Sequence, residues 1–226
     1  MLNTEQSAID ATLLMTPGCS HCPVVLEALT RLIKSGKLGR LEIIDLTQYP
    51  SAGESAGVRS VPWTRIGPFE LEGVHSHAEL EQWAEHAIAG SGFDTYYTHL
   101  LETSRLNRVI NLARERPSTL QDLVALLDTL ETPMVVRIGV GAVLEELAES
   151  EALNDLVPGL IALTQSPDPQ IRADGCHYLS LSDSPEALAA VRRLVEDADP
   201  EVRQIANESL AVLKAVSQVE TDVDGL

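Results

Sequence analysis

Residues 11–25 read Ala11-Thr12-Leu13-Leu14-Met15-Thr16-Pro17-Gly18-Cys19-Ser20-His21-Cys22-Pro23-Val24-Val25. The run 12–15 is apolar and strand-like, and Pro17-Gly18 stops it. Beyond the two cysteines, Val25, Leu26, Leu29, Leu32 and Ile33 recur at helical spacing until Ser35-Gly36 ends the pattern. This spacing predicts Cys19 at the N-terminus of a helix and Cys22 one turn inside it. Unpaired N–H groups and the positive end of the helix dipole favour thiolate there, below the free value of ~8.5. Pro23 is tolerated in a first turn, where its missing N–H would have no intrahelical acceptor. Such a CxxC reads as redox chemistry or as half of a metal site.

Working outward, residues 41–46 (LEIIDL) predict a second buried strand, and 51–57 a short helix. Trp63–Ile66 and Phe69–Glu72 flank Gly67-Pro68, a hairpin signal. Ser76 and Glu79 have the spacing of a capping box for a helix through Leu80, Trp83, Ala84 and Ala87. The predicted order is β-α-β-α-β-β-α, and Gly90-Ser91-Gly92 reads as a linker.

From Phe93 onward the grammar is purely helical. Asp168-Pro169 and Asp199-Pro200 each set an N-cap acid before a proline at the first helical position. Ile171-Arg172 matches Val202-Arg203, Gly175 matches Ala206, and Leu179 matches Leu210. A looser copy starts at Thr132-Pro133, with Val136-Arg137, Val140 and Leu144 and one inserted residue. Apolar helices over 120–130, 153–163 and 185–195 precede the three copies, which makes a paired-helix repeat. The stripe Leu123, Leu126, Leu127 and Leu130 is expected to be core. Arg137, Arg172 and Arg203 recur once per copy, as an expected inter-repeat ladder with acids such as Asp168 and Asp199. Residues 94–116 predict one or two capping helices with a break at Thr103-Ser104.

The second half resembles HEAT repeats, whose recognisable D-P-x-[IV]-R pattern opens the second helix of a unit. Pro158 inside the first helix of the middle copy fits that family as well. The first half resembles the thioredoxin superfamily in its compact, glutaredoxin-sized form. It is especially similar to the redox-active N-terminal domain of bacterial alkylhydroperoxide reductase flavoproteins. Two motifs carry this: CSHCPVV after a strand, and Val58-Arg59-Ser60-Val61-Pro62 before another. The resemblance implies that Cys19 is the nucleophile and Cys22 the resolving thiol. It also implies a cis Pro62 facing the dithiol, with Val61, Pro62 and the bulky Trp63 as a substrate platform. Gly18 stands where thioredoxin carries Trp, and Leu13 where it carries a buried Asp. His21 within the motif implies a more oxidising disulfide, between about −270 and about −180 mV.

The expected fold is therefore an α/β thioredoxin fold followed by an all-α HEAT superhelix. The expected divisions are a redox domain (1–90), linker and capping helices (91–117), three helix-pair repeats (118–217) and an acidic tail (218–226). The expected function is thiol–disulfide exchange on protein disulfides, with the repeats docking a protein partner. The alternative is a non-catalytic repeat adaptor switched by the CxxC redox state. A third reading is an electron donor, for example to a peroxidase.

Composition narrows the partners. The 226 residues carry 34 acids against 16 Lys plus Arg, a net −18, so nucleic acid and anionic membrane are not expected partners. Residues 1–92 hold 11 acids and 6 bases (−5), and residues 93–226 hold 23 and 10 (−13). No cofactor is expected, and an external reductant protein or small thiol would supply electrons. No metal is expected: zinc needs four ligands, and only His75 and His77 stand by to complete the pair. Residues 1–9 lack an export signal, and three cysteines make no disulfide framework, so the expected location is cytoplasmic. Cys176, at the position of Asn207, is expected to be a structural cysteine rather than a resolving one. His86, His99 and His177 are expected at the surface or an interface.

Overall fold

The computed structural model describes residues 9–148 and 150–223, with side chains through 213. The expectation of no export signal falls largely on residues 1–8, which lie outside the described residues, as does the end of the acidic tail at 224–226. Two compact units divide between Gly92 and Phe93. Among the described residues, no helix is long and apolar enough to cross a membrane.

The first unit runs β1 (Ile9–Met15), α1 (Cys22–Lys34), β2 (Leu38–Asp45), α2 (Pro50–Ser55), β3 (Trp63–Ile66), β4 (Phe69–Glu72) and α3 (His77–Ala89). Its sheet has the order β2-β1-β3-β4, with β1 parallel to β2 and antiparallel to β3. Central placement explains why β1 reads as a continuous apolar run. Residues 11–14 are buried one after another, because neighbours cover both faces. Leu13 and Ala11 face Val25, Leu29, Leu32 and Leu80 in one core. The second strand departs from expectation. It lies at the sheet edge with Ile43 49% exposed, so its apolar run does not signify two covered faces. The hairpin turns at Gly67-Pro68, with Gly67 at φ +55. Ser76 and Glu79 form the capping box of α3, and Gly90 closes it in the left-handed region.

The second unit begins with α4 (Phe93–Glu102) and α5 (Leu106–Glu115), which break at Ser104, where φ is +58. A 3-10 turn (Pro117–Thr119) leads into α6 (Leu120–Ala125) and α7 (Met134–Glu146). Next come α8 (Glu151–Asn154), α9 (Val157–Leu163), α10 (Pro169–Leu179), α11 (Pro185–Leu194) and α12 (Pro200–Val223). Helix backbone thus continues to Val223, through most of the stretch expected as a tail. Pro158 enters at the first turn of α9, so the leading helix of the middle copy is split in two. Asp168 Oδ1 accepts the Gln170 N–H at 2.8 Å and Asp199 Oδ1 accepts the Glu201 N–H at 2.9 Å, the same N-cap built twice. In the first copy Pro133 itself takes the N-cap position with ψ 141, and Thr132 does not cap. That is where the inserted residue is absorbed.

Two further sequence expectations change here. Leu130 is 47% exposed and not core, because α6 stops at Ala125 and the chain turns. The arginine ladder exists, but its acids are Asp174 and Asp197. Arg137 pairs with Asp174 of the next copy, and Arg172 meets both oxygens of Asp197 at 2.8 and 2.9 Å. Asp168 and Asp199 already serve their own helix N-termini. Each arginine also ties down the turn before its own helix. Arg137 donates to the Leu127 and Thr129 carbonyls, Arg172 to those of Ser166 and Pro167, and Arg203 to those of Asp197 and Ala198.

The bonds from Arg172 hold the Asp197 carboxyl below the usual carboxylate range. A depressed folded value stabilises above the unfolded value and is lost as pH falls through the folded one. The urea-unfolding gap between wild type and Asp197→Asn is therefore full at pH ~6 and shrinks below pH ~4. A gap that stays constant down to pH ~2 would contradict this account.

Candidate active site

β1 ends at Met15, and the chain turns through Pro17-Gly18, with the Cys19 N–H donating to the Thr16 carbonyl at 3.1 Å. A Cβ at Gly18 would meet nothing within 4 Å, so space is open beside the residue that precedes Cys19. Helix α1 starts at Cys22, with His21 at its N-cap and Pro23 in its first turn. The cysteines therefore sit about one turn earlier relative to the helix than the sequence spacing suggests: Cys19 precedes the helix, and Cys22 opens it. Proline fits either of the first two helical positions, so the periodicity alone could not fix the start.

Cys19 and Cys22 are joined, with sulfurs 2.29 Å apart and Cα atoms 5.5 Å apart. Their environments differ. Cys22 is fully buried, whereas Cys19 is half-buried. The Cys22 N–H donates to Cys19 Sγ at 3.1 Å. Such a bond from the first turn of a helix strengthens when the acceptor carries negative charge. His21 is exposed, and its side chain makes no capping bond.

The second motif lies across from the first. The Val61–Pro62 peptide bond is cis, and the Val61 carbonyl oxygen lies 3.8 Å from Cys19 Sγ. The Gly73 N–H donates to the Pro62 carbonyl at 2.8 Å, which ties this loop to the far end of the hairpin. Sequence reading passed over Gly73, because nothing local links it to Pro62. Trp63, expected beside them, is only 2% exposed on β3, so its ring is not presented to a docked segment. Leu13, fully buried, pairs across the sheet with Thr64, so its position in β1 offers no carboxylate.

His75 is half-buried with Nε2 3.1 Å from the Glu72 carbonyl oxygen, and burial pushes its pKa down. Ser76 beside it is committed to the α3 cap. Among the described residues, no three His, Cys, Asp or Glu side chains converge as a metal site.

Residues 10–85 match the family model for a thioredoxin domain, and residues 120–211 match that for HEAT repeats. The chain carries a thioredoxin domain followed by HEAT repeats. No curated protein matches it. The thioredoxin domain is a small mixed sheet with helices, and it contains the joined cysteines. HEAT repeats generally mediate contacts between proteins.

The third cysteine lies within the HEAT repeats. Cys176 on α10 is fully exposed to neither solvent nor reagent: it is buried, and burial pushes its thiol up to about 11, against a hydrogen bond from Ser209. Burial thus opposes both thiolate formation and access of a reagent to this sulfur. After reduction of the native protein, a maleimide is expected to modify Cys19 and leave Cys176 untouched until denaturant is added. Equal modification of both by mass spectrometry would contradict this.

Proposed function

We propose that the protein is a thiol–disulfide oxidoreductase acting on protein disulfides, with the HEAT repeats docking the partner. One observation carries the reading: a half-exposed Cys19 and a buried Cys22 bridge at the mouth of α1, with Cys19 Sγ beside the Val61 carbonyl. Exposure supports a division of roles. Cys19 is the nucleophile, because a substrate sulfur can reach it. Cys22 is the resolving thiol, because it is shielded by the fold. His21, exposed at the N-cap between the two cysteines, modulates the pair. Val61 and Pro62 are the platform on which substrate backbone is held.

Cys19 thiolate attacks one sulfur of a substrate disulfide, and the other leaves as thiolate. Cys22, deprotonated, attacks Cys19 Sγ and expels the second substrate sulfur. Two electrons and two protons pass to the substrate, and Cys19–Cys22 is oxidised. An external dithiol protein or small thiol restores the reduced pair. Three cysteines in the whole chain support a reducing compartment, the cytoplasm.

A trapping experiment tests this. Cys22→Ser is expected to accumulate a mixed disulfide between Cys19 and a substrate protein, visible by non-reducing electrophoresis and mapped to Cys19 by mass spectrometry. Absence of any Cys19-linked species while wild type turns over the same substrate would overturn the assignment.

The adaptor reading, in which the dithiol only switches docking, is favoured by the separation of dithiol and repeats into two compact units. It predicts partner affinity that changes with redox state and no turnover.

A further inference from the structure

Helix α7 presents apolar side chains to solvent. Met134 is 63% exposed, Val135 52% and Ile138 65%, and Leu130 just before the helix is 47% exposed. Met134 and Ile138 are one turn apart with Val135 beside them, so they form one strip. In the other copies, aligned on Val136, Ile171 and Val202, the position of Val135 holds Gln170 and Glu201, both exposed. The position of Ile138 holds Ala173, which is buried, and the exposed Gln204. The repeat pattern therefore does not require apolar side chains here. Elsewhere among the described residues of this unit, Val212 is the other large apolar side chain with comparable exposure.

The strip has an acidic foot. The turns 128–131 and 166–168 flank an open groove of about 610 Å³, which carries Asp128, Glu131 and Asp168. The arginines beside these turns are committed: Arg137 to Asp174 and Arg172 to Asp197. The background is acidic as well, with 23 acids against 10 bases over residues 93–226.

We infer that this strip and groove dock a basic segment of a partner protein that also carries aliphatic side chains. Lysines or arginines meet Asp128, Glu131 and Asp168, and aliphatic groups cover Met134, Val135 and Ile138. Neither part suffices alone. Exposed ion pairs contribute little by themselves, and burying the strip supplies the larger part of the affinity. The negative field steers basic segments in and repels acidic ones. This deepens the docking role proposed above and names its partner chemistry.

The probe is a labelled amphipathic peptide with leucines on one helical face and lysines on the other, titrated into the full-length protein by fluorescence anisotropy. Comparison peptides carry glutamate for lysine, or serine for leucine. Binding is expected for the lysine–leucine peptide alone. Ile138→Asp and the pair Asp128→Asn, Glu131→Gln are each expected to weaken it at least about tenfold. Glu201→Lys with Glu208→Lys, on the exposed side of α12, is expected to leave it unchanged. Raising salt from 0.1 to 1 M shortens the Debye length from about 10 to about 3 Å and is expected to weaken it too. All these substitutions are at exposed positions, and far-UV circular dichroism checks the fold.

The proposal is overturned if the lysine–leucine peptide does not bind, if the serine peptide binds equally, or if the Ile138 variant binds as wild type does. It is also overturned if the wild type self-associates and Ile138→Asp abolishes that, because a second copy would then cover the strip. Cys19→Ser separates this inference from the oxidoreductase reading. Unchanged peptide binding by that variant supports the surface whether or not the wild type turns over disulfides.

Discussion

Cys19→Ser is expected to lose protein-disulfide turnover by about a thousand-fold or more, on the order of 4 kcal/mol at the barrier. The thiolate is the attacking species, and a serine hydroxyl supplies no comparable anion at neutral pH. Geometry makes the effect specific. Cys19 is the half-exposed member of the pair, its sulfur accepts the Cys22 N–H, and it lies 3.8 Å from the Val61 carbonyl oxygen. Cys22, fully buried at the start of α1, cannot take over the first attack without opening the helix. The folding cost of the exchange is small, because serine is near in size and the site is partly open. A coupled assay reads the loss: a small dithiol as reductant, a protein disulfide as substrate, and thiol appearance as the signal. Turnover by Cys19→Ser equal to wild type would remove the enzyme reading and leave a docking module.

The features legible in the sequence are those set locally. β1 was readable because a central strand covered on both faces must be apolar throughout, and Leu13 and Leu14 are buried accordingly. The two Asp-Pro caps were readable because the acid, the proline and the N–H that the acid accepts lie within three residues. The same reasoning misplaced β2, since Ile43 and Ile44 look like core residues although their strand lies at the edge. It also set the helix start one turn too early, at Cys19 instead of Cys22, because Ser20 and His21 carry no signal that separates a bend from a first turn. At the candidate site, both motifs were visible, but the bond from Gly73 to the Pro62 carbonyl and the burial of Trp63 were not. Those depend on how the hairpin folds back. The arginines were visible by their period, whereas Asp174 and Asp197 were not, since an ion-pair partner 37 or 25 residues away leaves no local mark.

Those long-range pairs make the second large effect a structural one. Arg137→Ala is expected to destabilise the HEAT repeats by about 3 kcal/mol. Arg137 is 6% exposed, and its guanidinium satisfies the Leu127 and Thr129 carbonyls and the Asp174 carboxylate together. Alanine removes all three bonds. Both carbonyls then lose the guanidinium donor, and bonds to a charged donor contribute ~1.5–3 kcal/mol each when intact. Two considerations keep the expected loss from being the full sum. The Asp174 side chain is 29% exposed, so water can take up part of its charge, and exposed turn carbonyls can be rehydrated. Arg203→Ala provides the comparison. Its guanidinium binds the Asp197 and Ala198 carbonyls from a half-buried position, so a loss nearer 1 kcal/mol is expected. Arg137→Lys should fall between wild type and alanine, because a single ammonium on a flexible stem cannot span a fork-shaped set of acceptors. Urea unfolding followed by far-UV ellipticity reads these losses. Tryptophan fluorescence identifies which unit has opened, since Trp63 and Trp83 both belong to the thioredoxin domain. If the midpoint for Arg137→Ala coincided with that for wild type, the ladder would be ornament, and the apolar contacts between helices would have to account for the stacking by themselves.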